Sequence, residues 1–522
     1  MERPRNLLLI SADSLRVDRL AVFRTGGLEL DALDRLAARG VTYRRAQAVT
    51  PWTAPAMVSV FTGLYPPSHG VQVRDDTTPQ ALPTLARLAE DAGLRVGNFS
   101  FFSGISYFRN LGLPPAPEGL AYGREPEVFA RWLDERPDDD FFAWIHLLEP
   151  HLPYGADGYR AKELQIEGSS GLEATQLKAT VPVGTAEFAP GDREPLLELY
   201  DRDVRRLGDR LMDLLEALTE RGLLESTLIV FVADHGEELL EDGWVGHAST
   251  AAEAKLIPEV LDIPLLVSGP GVLEPGSTSE ARVQQIDLLP ALVRLFDWPA
   301  PNVLDGFGLP GLGPRRWRSL PERSRSFFDT SVGGNLTPAE RSFERLQGIS
   351  DGRCLVRSRT APGSAEGVDS LEVVAGGCDR VADLRKDLDA WRRDQAAQRL
   401  SLLEGGASSA GPDLQQVESF AEVLDALPAD RALLRWPEVG GLISLEWNLE
   451  EPAWIQYEVG QGLLSVDGVF RADKPGSIAF GPFPEGFWND LAGYNPFRYR
   501  VIHEELQQRS PWQEFRLEKT TR

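Results

Sequence analysis

The stretch NLLLISAD, residues 6–13, is an unbroken apolar run that ends in a carboxylate. Two later stretches have the same form, FFAWIH at 141–146 and LIVFVADH at 228–235. Residues with helical periodicity lie between such runs, as at 30–39 and 194–223. Continuous apolar strands that alternate with helices are typical of parallel sheets, so the sequence predicts an α/β fold, a mostly parallel sheet with helices on both faces. Further strands are predicted at 96–101 and 263–267, and further helices at 85–92 and from Pro55.

The sequence pattern changes towards the C-terminus of the chain. Short aromatic stretches such as LISLEW and WIQYEV, separated by Gly and Pro turns, predict a β-sandwich-like domain. The Gly- and Ser-rich stretch EGGASSAGPD predicts a linker before it. The predicted organisation is a large α/β domain over 1–320, a small α+β subdomain over 321–403, the linker at 404–413 and the β-sandwich-like accessory domain over 414–522.

Composition and charge exclude several classes of protein. The 522 residues carry a formal net charge of −25, which would repel a phosphate backbone, so the chain is not expected to bind nucleic acid. No apolar run approaches the ~18 residues of a membrane-spanning helix. The N-terminus has too few apolar residues for a secretory signal, and two cysteines, Cys354 and Cys378, are too few for a disulfide framework. The sequence therefore predicts a cytoplasmic protein with two free thiols.

Polar side chains follow three of the predicted strands: Asp13, His146, and the pair Asp234 and His235. The carboxyl ends of parallel strands meet at one edge of a sheet, where ligands bind in such folds, so these side chains are expected to converge. Two carboxylates and one imidazole suit Mn²⁺, Zn²⁺ or Mg²⁺ better than Ca²⁺. For each aspartate taken alone, the alternative is a turn former or a helix cap.

Thr53 stands at the start of a predicted helix that Gly63 ends. One interpretation is that its hydroxyl only caps this helix. The other is that the free amides and the positive end of the helix dipole hold an oxyanion in front of the hydroxyl. A threonine hydroxyl is a poor nucleophile unless a metal or a base lowers its pKa. The carboxylates at the strand ends would supply that metal.

Several stretches together resemble the sulfatases and their relatives in the alkaline phosphatase superfamily. NLLLISADSLRVDRL resembles the family's first strand with its metal-binding aspartate, and FTGLYPPSHGV follows at the expected distance. FAWIHLLEPHLPY is similar to the family's His-x-x-x-Pro-His segment, and VADHGEELLEDGWVGH to its second metal-binding pair. The similarity covers residues 5–310 and implies an alkaline-phosphatase-like fold.

The departures from the sulfatase pattern point to one branch of the superfamily. The position of the sulfatase Cys or Ser nucleophile is Thr53, which cannot be converted to formylglycine, and Met57 stands where sulfatases have arginine. No lysine occurs before Lys162, and Ser14 and His235 replace a frequent Asp and Asn. These features resemble the threonine-nucleophile branch, which includes lipoteichoic-acid synthases and related phosphotransferases and phosphodiesterases.

The resemblance also implies roles for individual residues. One divalent ion is implied rather than two, because Asp201 is followed four residues later by Arg205 and not by the histidine of the two-zinc members. Mn²⁺ or Zn²⁺ is favoured, with Mg²⁺ or Ca²⁺ as alternatives. His146, oriented by Glu149 or by a backbone carbonyl, would protonate the leaving oxygen or hold a non-bridging oxygen. The implied set is Asp13, Thr53, Asp234 and His235 as metal ligands, Thr53 as nucleophile, His146 and His247 as acids or charge clamps, and His151 as a substrate contact.

The function predicted from the sequence is that of a sulfatase-like, metal-dependent hydrolase or transferase of phosphate or sulfate esters. The substrate would be a small-molecule, glycan-linked or lipid-linked ester, with phosphorus favoured because Thr53 stays unmodified. The sequence gives no indication of the oligomeric state. The alternative is a catalytically inactive sulfatase-fold protein that serves as a binding or scaffold module. A third hypothesis places a glycan- or protein-binding surface on the tryptophans of the C-terminal domain. The simpler explanation of these tryptophans is that they pack in the core of that domain.

Overall fold

The computed structural model describes residues 3–74, 76–100, 108–152, 154, 191–247, 255–313, 323–334, 344–360 and 371–406. Beyond residue 406 it describes the backbone of eight strands. The chain divides into two compact units, Met1–Leu388 and Asp389–Arg522. The domain boundaries predicted from the sequence stay predictions.

The first unit is built on a seven-stranded sheet. Its strands are β1 (Asn6–Ala12), β2 (Gly40–Gln47), β3 (Arg95–Ser100), β4 (Phe141–Leu147), β5 (Thr227–Ala233), β8 (Asp262–Ser268) and β9 (Ser277–Gln284), and the short β6 (Glu238–Leu239) and β7 (Val245–Gly246) pair with each other outside it. The strand order is β3-β4-β1-β5-β8-β2-β9. All neighbours are parallel except the two pairs that β8 makes. The predicted mostly parallel sheet is therefore confirmed.

The central strands are covered on both faces. Every residue of β1, β4 and β5 is buried, and successive side chains of a strand point to opposite faces, so both faces must pack against other elements. The helices of this architecture are α1 (Asp31–Ala38), α2 (Thr53–Thr62), α3 (Pro66–His69), α4 (Leu85–Asp91), α5 (Glu125–Glu135), α6 (Arg193–Glu220), α7 (Pro258–Leu261), α8 (Leu288–Phe296) and α9 (Val381–Gly406). In the part of the chain that the structure describes, no helix is both long and apolar enough to cross a membrane.

Smaller sheets follow along the chain. The first unit adds an antiparallel sheet of β10 (Ser326–Ser331), β11 (Arg345–Ser350), β12 (Cys354–Thr360) and β13 (Leu371–Gly376). The second unit contains two four-stranded sheets, as expected for the predicted accessory β-domain. Their strands are β14 (Leu433–Trp436), β15 (Ile443–Trp447), β16 (Ala453–Val459), β17 (Val466–Ala472), β18 (Gly476–Phe480), β19 (Phe497–Ile502), β20 (Gln513–Glu514) and β21 (Arg516–Lys519). The predicted linker begins inside α9, which is helical to Gly406, and its remainder lies outside the described residues.

The long helix α6 fixes the segments that follow β1 and β4. The Tyr200 hydroxyl donates to the carbonyl of Ser14 over 2.7 Å and accepts from the amide of Arg16 over 2.9 Å. Further along the same helix, Arg210 pairs with Glu125 at 2.9 Å and with Glu149 at 2.5 Å. Tyr200, Glu125 and Glu149 are buried and Arg210 is partly buried, so these contacts hold both segments in one position relative to the helix.

The prediction of two free thiols is wrong. Cys354 and Cys378 form a disulfide with their Cα atoms 5.2 Å apart. The reason lies in strand register: Cys354 begins β12 opposite Gly376, the last residue of β13, so Cys378 returns to the same place two residues later. Composition alone does not contain this register. Disulfides are rare in reducing compartments, so the thiol argument for a cytoplasmic protein no longer holds.

We predict that the Cys354–Cys378 disulfide stabilises the small antiparallel sheet. Replacing both cysteines by serine should lower the free energy of unfolding by about 2–4 kcal/mol, because the bond closes a loop of 24 residues in the unfolded chain. Thermal unfolding followed by circular dichroism measures the effect. In the presence of reductant, the melting temperature of the parent protein should equal that of the serine variant. A thiol titration of the denatured, unreduced parent should find no reactive thiol. Two reactive thiols there would contradict the prediction.

Candidate active site

The structure brings the polar strand ends together at one edge of the large sheet. The amide of Asp13 donates to the carbonyl of Leu147 over 2.9 Å, and the amide of Asp234 donates to the carbonyl of Ala12 over 3.2 Å. These bonds extend the pairing of β1 with β4 and β5 past the last paired residues of the strands. The side chains that follow the three strands therefore face one small space.

His235 lies at the centre of this space. Its Nδ1 is 2.7 Å from the carbonyl oxygen of Gly236, which can only accept, so Nδ1 carries a proton and Nε2 faces the cluster. Nε2 is 3.5 Å from Asp234 Oδ2 and 3.8 Å from Asp13 Oδ1. It is also 3.4 Å from the hydroxyl oxygen of Thr53. The four side chains predicted as metal ligands thus meet around one nitrogen.

His146 belongs to the same cluster. Its Nε2 is 3.4 Å from Asp13 Oδ2, and ligand atoms of Asp13, His146 and Asp234 all lie within 4.8 Å of one another. Its Nδ1 is 2.8 Å from the hydroxyl oxygen of Ser11, which accepts from the indole of Trp144 over 2.8 Å. Ser11 thus orients this ring, and the prediction that Glu149 or a backbone carbonyl does so is wrong. Glu149 is paired with Arg210 of α6 instead.

The charges of the cluster are those of a cation site. Burial and the charge of Asp13 raise the pKa of Asp234. Burial also opposes ionisation of Asp13, but the neighbouring His151, His146 and His235 lower its pKa well below the usual range. Oδ2 of Asp234 is buried and accepts no hydrogen bond. An orphaned carboxylate oxygen beside a second carboxylate and two imidazoles fits a divalent ion such as Mn²⁺ or Zn²⁺.

Thr53 is the accessible member of the group. It is the first residue of α2, the preceding Trp52 is the N-cap, and no side chain caps the helix. The interpretation of Thr53 as a mere helix cap is therefore wrong. Its side chain is half-buried, whereas Asp13, Asp234 and His235 are fully buried. A molecule that approaches the cluster from solvent meets this hydroxyl, at the end of the helix where free amides favour an anion.

Two further histidines border the cluster. The ring centroid of His247 is 4.4 Å from that of His235 and 5.3 Å from that of His151. Nδ1 of His247 is 3.0 Å from Glu237 Oε1. Burial raises the pKa of Glu237 to about 8, and burial together with the charge of His151 lowers the pKa of His247 to about 4. The pair is therefore uncharged at neutral pH.

Two residues of the site were not assigned from the sequence. Ser14 has a positive φ of 60°, its hydroxyl donates to Asp13 Oδ1 over 2.9 Å, and its amide donates to Asp234 Oδ1 over 3.0 Å. Its position directly after Asp13, where many sulfatases have a second aspartate, was the available signal. For Glu237 the sequence does not distinguish a first-turn helix acid from a catalytic group, and the structure places it against His247 across the β6–β7 hairpin. Asp201 lies apart and accepts two hydrogen bonds from Arg19.

Comparison with known proteins places these features in context. The sulfatase family model matches residues 5–298. The low-salt glycan biosynthesis sulfotransferase Agl7 of Haloferax volcanii is 27% identical over 310 residues, which cover 59% of this chain and 66% of that protein. Human arylsulfatase A is 26% identical over 63% of this chain and 74% of its own length. The chain thus spans just under two thirds of the Haloferax protein.

Solved structures show the same fold. The phosphonate monoester hydrolase of Agrobacterium radiobacter superposes with a TM-score of 0.52 at 22% identity, covering 78% of this chain and 95% of that one. A 2-O GAG sulfatase superposes with a TM-score of 0.58 at 16% identity, covering 77% of this chain and 94% of that one. At these identities the likeness concerns the fold.

We predict that the cluster binds about one divalent ion per chain. In the parent, EDTA should lower the melting temperature by roughly 5–10 °C, because an ion bound to the folded state alone stabilises it by mass action. The variant Asp13→Asn with Asp234→Asn should lose both the ion and the EDTA effect. Metal analysis by mass spectrometry and thermal unfolding measure the two quantities.

The matched control is Asp201→Asn, which removes a carboxylate that pairs with Arg19 outside the cluster. This variant should keep the ion and the EDTA effect. An Asp13/Asp234 variant that retains the metal content of the parent would place the ion elsewhere in the chain.

Proposed function

Because the chain belongs to the sulfatase family, we propose that it is a metal-dependent enzyme that cleaves or transfers sulfate or phosphate ester groups. One observation carries the proposal: the hydroxyl of the half-buried Thr53 lies 3.4 Å from Nε2 of His235, beside two fully buried carboxylates. A nucleophile at the mouth of a buried ligand cluster is the arrangement that such chemistry needs. The family's divalent ion would be held by Asp13, Asp234, His235 and Thr53, with His146 as a further ligand.

The bound ion would act as a Lewis acid and lower the pKa of a hydroxyl in its shell. Thr53 Oγ1 attacks the phosphorus or sulfur atom, its proton passing to a neighbouring base or to solvent. The bond from Oγ1 to that atom forms as the bond to the leaving oxygen breaks. Water or an acceptor alcohol then takes the phosphoryl or sulfuryl group from the resulting ester, which restores the Thr53 hydroxyl. The amides at the start of α2 face the anionic oxygens that build up charge during attack.

The leaving oxygen needs a proton, and His247 and His151 border the cluster on the accessible side. The carboxyl of Glu237, protonated at neutral pH, can donate to Nδ1 of the neutral His247 ring, which puts the proton of that ring on Nε2. As Nε2 gives this proton to the leaving oxygen, the proton of Glu237 would pass to Nδ1. His151 Nδ1 donates to the carbonyl of Leu152 over 2.6 Å, which fixes the orientation of this ring beside that of His247. His146 is held on both sides, by Ser11 and by Asp13, which suits a ligand better than the acid predicted from the sequence.

Phosphorus is favoured over sulfur as the atom attacked. The unmodified hydroxyl of Thr53 cannot give the formylglycine hydrate on which sulfate ester cleavage in this family relies. Transfer to a glycan is a second candidate activity, supported by the similarity to the Haloferax sulfotransferase. The alternative of an inactive scaffold is disfavoured by Asp234, because a buried carboxylate oxygen without a partner destabilises a protein that gains nothing from it.

We predict that Thr53→Ala lowers kcat by ~10³-fold or more, since a covalent mechanism cannot proceed without the nucleophile. Thr53→Ser should keep part of the activity. After rapid acid quench, mass spectrometry of the parent should find a phosphoryl or sulfuryl group on the peptide that contains Thr53. Circular dichroism should show an unchanged fold in both variants.

The control for this experiment is Thr62→Ala in the same helix, whose hydroxyl donates to the carbonyl of Val58 and does not face the cluster. Its turnover should equal that of the parent. If Thr53→Ala stays within about tenfold of the parent, water is the attacking group and the covalent mechanism must be abandoned.

We also predict an order of substrates. With p-nitrophenyl phosphate, bis(p-nitrophenyl) phosphate, p-nitrophenyl phenylphosphonate and p-nitrophenyl sulfate, kcat/KM for the best phosphorus ester should exceed that for the sulfate by about tenfold or more. With p-nitrophenyl phosphate or p-nitrophenyl sulfate, adding glycerol as an acceptor tests transfer, because p-nitrophenol release would then exceed release of inorganic phosphate or sulfate. A sulfate ester at the head of the series would show that a threonine suffices for sulfuryl transfer and overturn the preference.

A further inference from the structure

A second cavity of about 340 Å³ lies at the edge of the large sheet, between that sheet and the small antiparallel one. It is lined by residues of β2, α7, β8 and β9 and by the turn that joins β11 to β12. Four guanidinium groups line it, those of Arg24, Arg45, Arg282 and Arg353, with Asp262 as the carboxylate among the lining residues.

This concentration of positive charge runs against the charge of the whole chain. The formal net charge is −25, so long-range forces repel an anion from most of the surface. Arginines brought together in a concave site attract an anion locally and offer it several N–H donors in fixed planes. Such a gathering lowers stability through like-charge repulsion, which an anion in the cavity would relieve.

Two of the arginines are packed against a turn that glycine makes possible. Gly352 has a φ of +83°, and a Cβ added there would lie 2.5 Å from Nη2 of Arg45 and 3.0 Å from Arg282. Arg282 also donates to the carbonyl of Ser324 over 3.1 Å. The absence of a side chain at Gly352 thus lets the backbone hold both guanidinium groups at the cavity wall.

The nearby carboxylates already accept hydrogen bonds from neutral donors. Asp262 Oδ1 accepts from the side-chain amide of Gln47 over 2.9 Å. Asp351 Oδ1 accepts from the backbone amides of Arg353 at 2.9 Å and Cys354 at 3.0 Å, which fixes the turn. These bonds use part of the acceptor capacity of both aspartates, and the lining residues of the cavity carry four positive charges against the one carboxylate of Asp262.

The cavity is separate from the cluster around His235, but α7 contacts both. Pro258 and Leu261 line the cavity, while the carbonyls of Val260 and Glu259 accept from the amides of Gly236 and Glu237 over 2.8 and 3.2 Å. A ligand in the cavity would therefore lie on the other side of the segment that supports the metal-site loop.

We propose that this cavity binds a tetrahedral dianion, sulfate or phosphate, either as the free ion or as a group carried by a sugar chain. The volume of the cavity suits one sulfate or phosphate group together with the sugar residue that carries it. The arginine N–H groups can donate hydrogen bonds to the oxygens of such a tetrahedral anion. The proposal concerns a site apart from Thr53 and holds whether or not the chain cleaves esters.

The test is calorimetric titration of the full chain with sodium sulfate, at an ionic strength held constant with chloride. Arg45→Gln with Arg353→Gln should lower sulfate affinity by about tenfold or more. The control is Arg357→Gln with Arg380→Gln, which removes two positive charges from the same subdomain where they pair with Glu372 and Asp383. The control should bind sulfate like the parent, and binding at the metal cluster is common to all three proteins.

Arg353→Glu is a second variant that keeps the test valid if the double variant unfolds, because Arg353 is exposed. It should also weaken sulfate binding. A parent that binds no sulfate, pocket variants that bind like the parent, or a control that loses as much affinity as the pocket variants would each overturn the proposal.

A size-defined heparin octasaccharide distinguishes the two sources of the anion. If it binds the parent more tightly than sulfate does and loses this advantage in Arg45→Gln with Arg353→Gln, the cavity takes a sugar-borne group. If the pocket substitutions weaken inorganic sulfate but leave octasaccharide binding unchanged, the cavity takes the free ion.

Discussion

The structure depends on the burial of two carboxylates side by side. Asp13 and Asp234 follow strands that run parallel in register, with Ala12 opposite Ala233, so the next residue of each strand reaches the same point. Both side chains are fully buried. Bringing two negative charges out of water costs several kcal/mol for each unless they are paired. The neighbouring imidazoles of His146 and His235 offset part of this cost, and a divalent cation would offset the remainder.

Much of the surrounding architecture serves to keep these carboxylates in place. Ser14 uses a left-handed backbone conformation to aim its amide at Asp234 and its hydroxyl at Asp13. Tyr200 of α6 then holds the backbone of Ser14 from behind. Through Ser14, a 28-residue helix thus restricts the movement of the carboxylate oxygens of Asp13 and Asp234. Preorganisation of this kind would lower the cost of arranging these oxygens around a cation.

The sequence predicted the parts of the fold whose signal is local. Strands such as β1, β4 and β5 are apolar at nearly every position, and their predicted bounds differ from the observed ones by one or two residues. The strand β2 (GVTYRRAQ) was not predicted, because a register shift between Tyr43 and Ala46 breaks its alternation. Predicting β9 failed for a related reason: its half-exposed, polar residues resemble a loop.

Contacts that arise from pairing between distant strands could not be predicted in this way. Ser11 orients His146 because the register of β1 on β4 sets these two residues opposite each other. Cys378 reaches Cys354 through the same kind of pairing in the small sheet. The convergence of Asp13, Asp234 and His235 was predictable because each follows a strand of the sheet, where the fold class itself dictates that side chains meet. Thr53, at the start of a helix, joined the predicted set through the resemblance to the sulfatases.

The charge around Thr53 is the last consequence of this arrangement. Met57, where sulfatases have an arginine, is fully buried in α2, so this position brings no cation to the substrate. The pair of Glu237 and His247 is uncharged at neutral pH and adds none either. For the proposed activity, an anionic ester approaching a chain of net charge −25 would have to be attracted by the amides at the start of α2 and by a divalent ion held in the carboxylate cluster. Without such an ion the two carboxylates would face the ester directly, so a cluster that attracts an anionic ester when loaded with metal would repel it when empty.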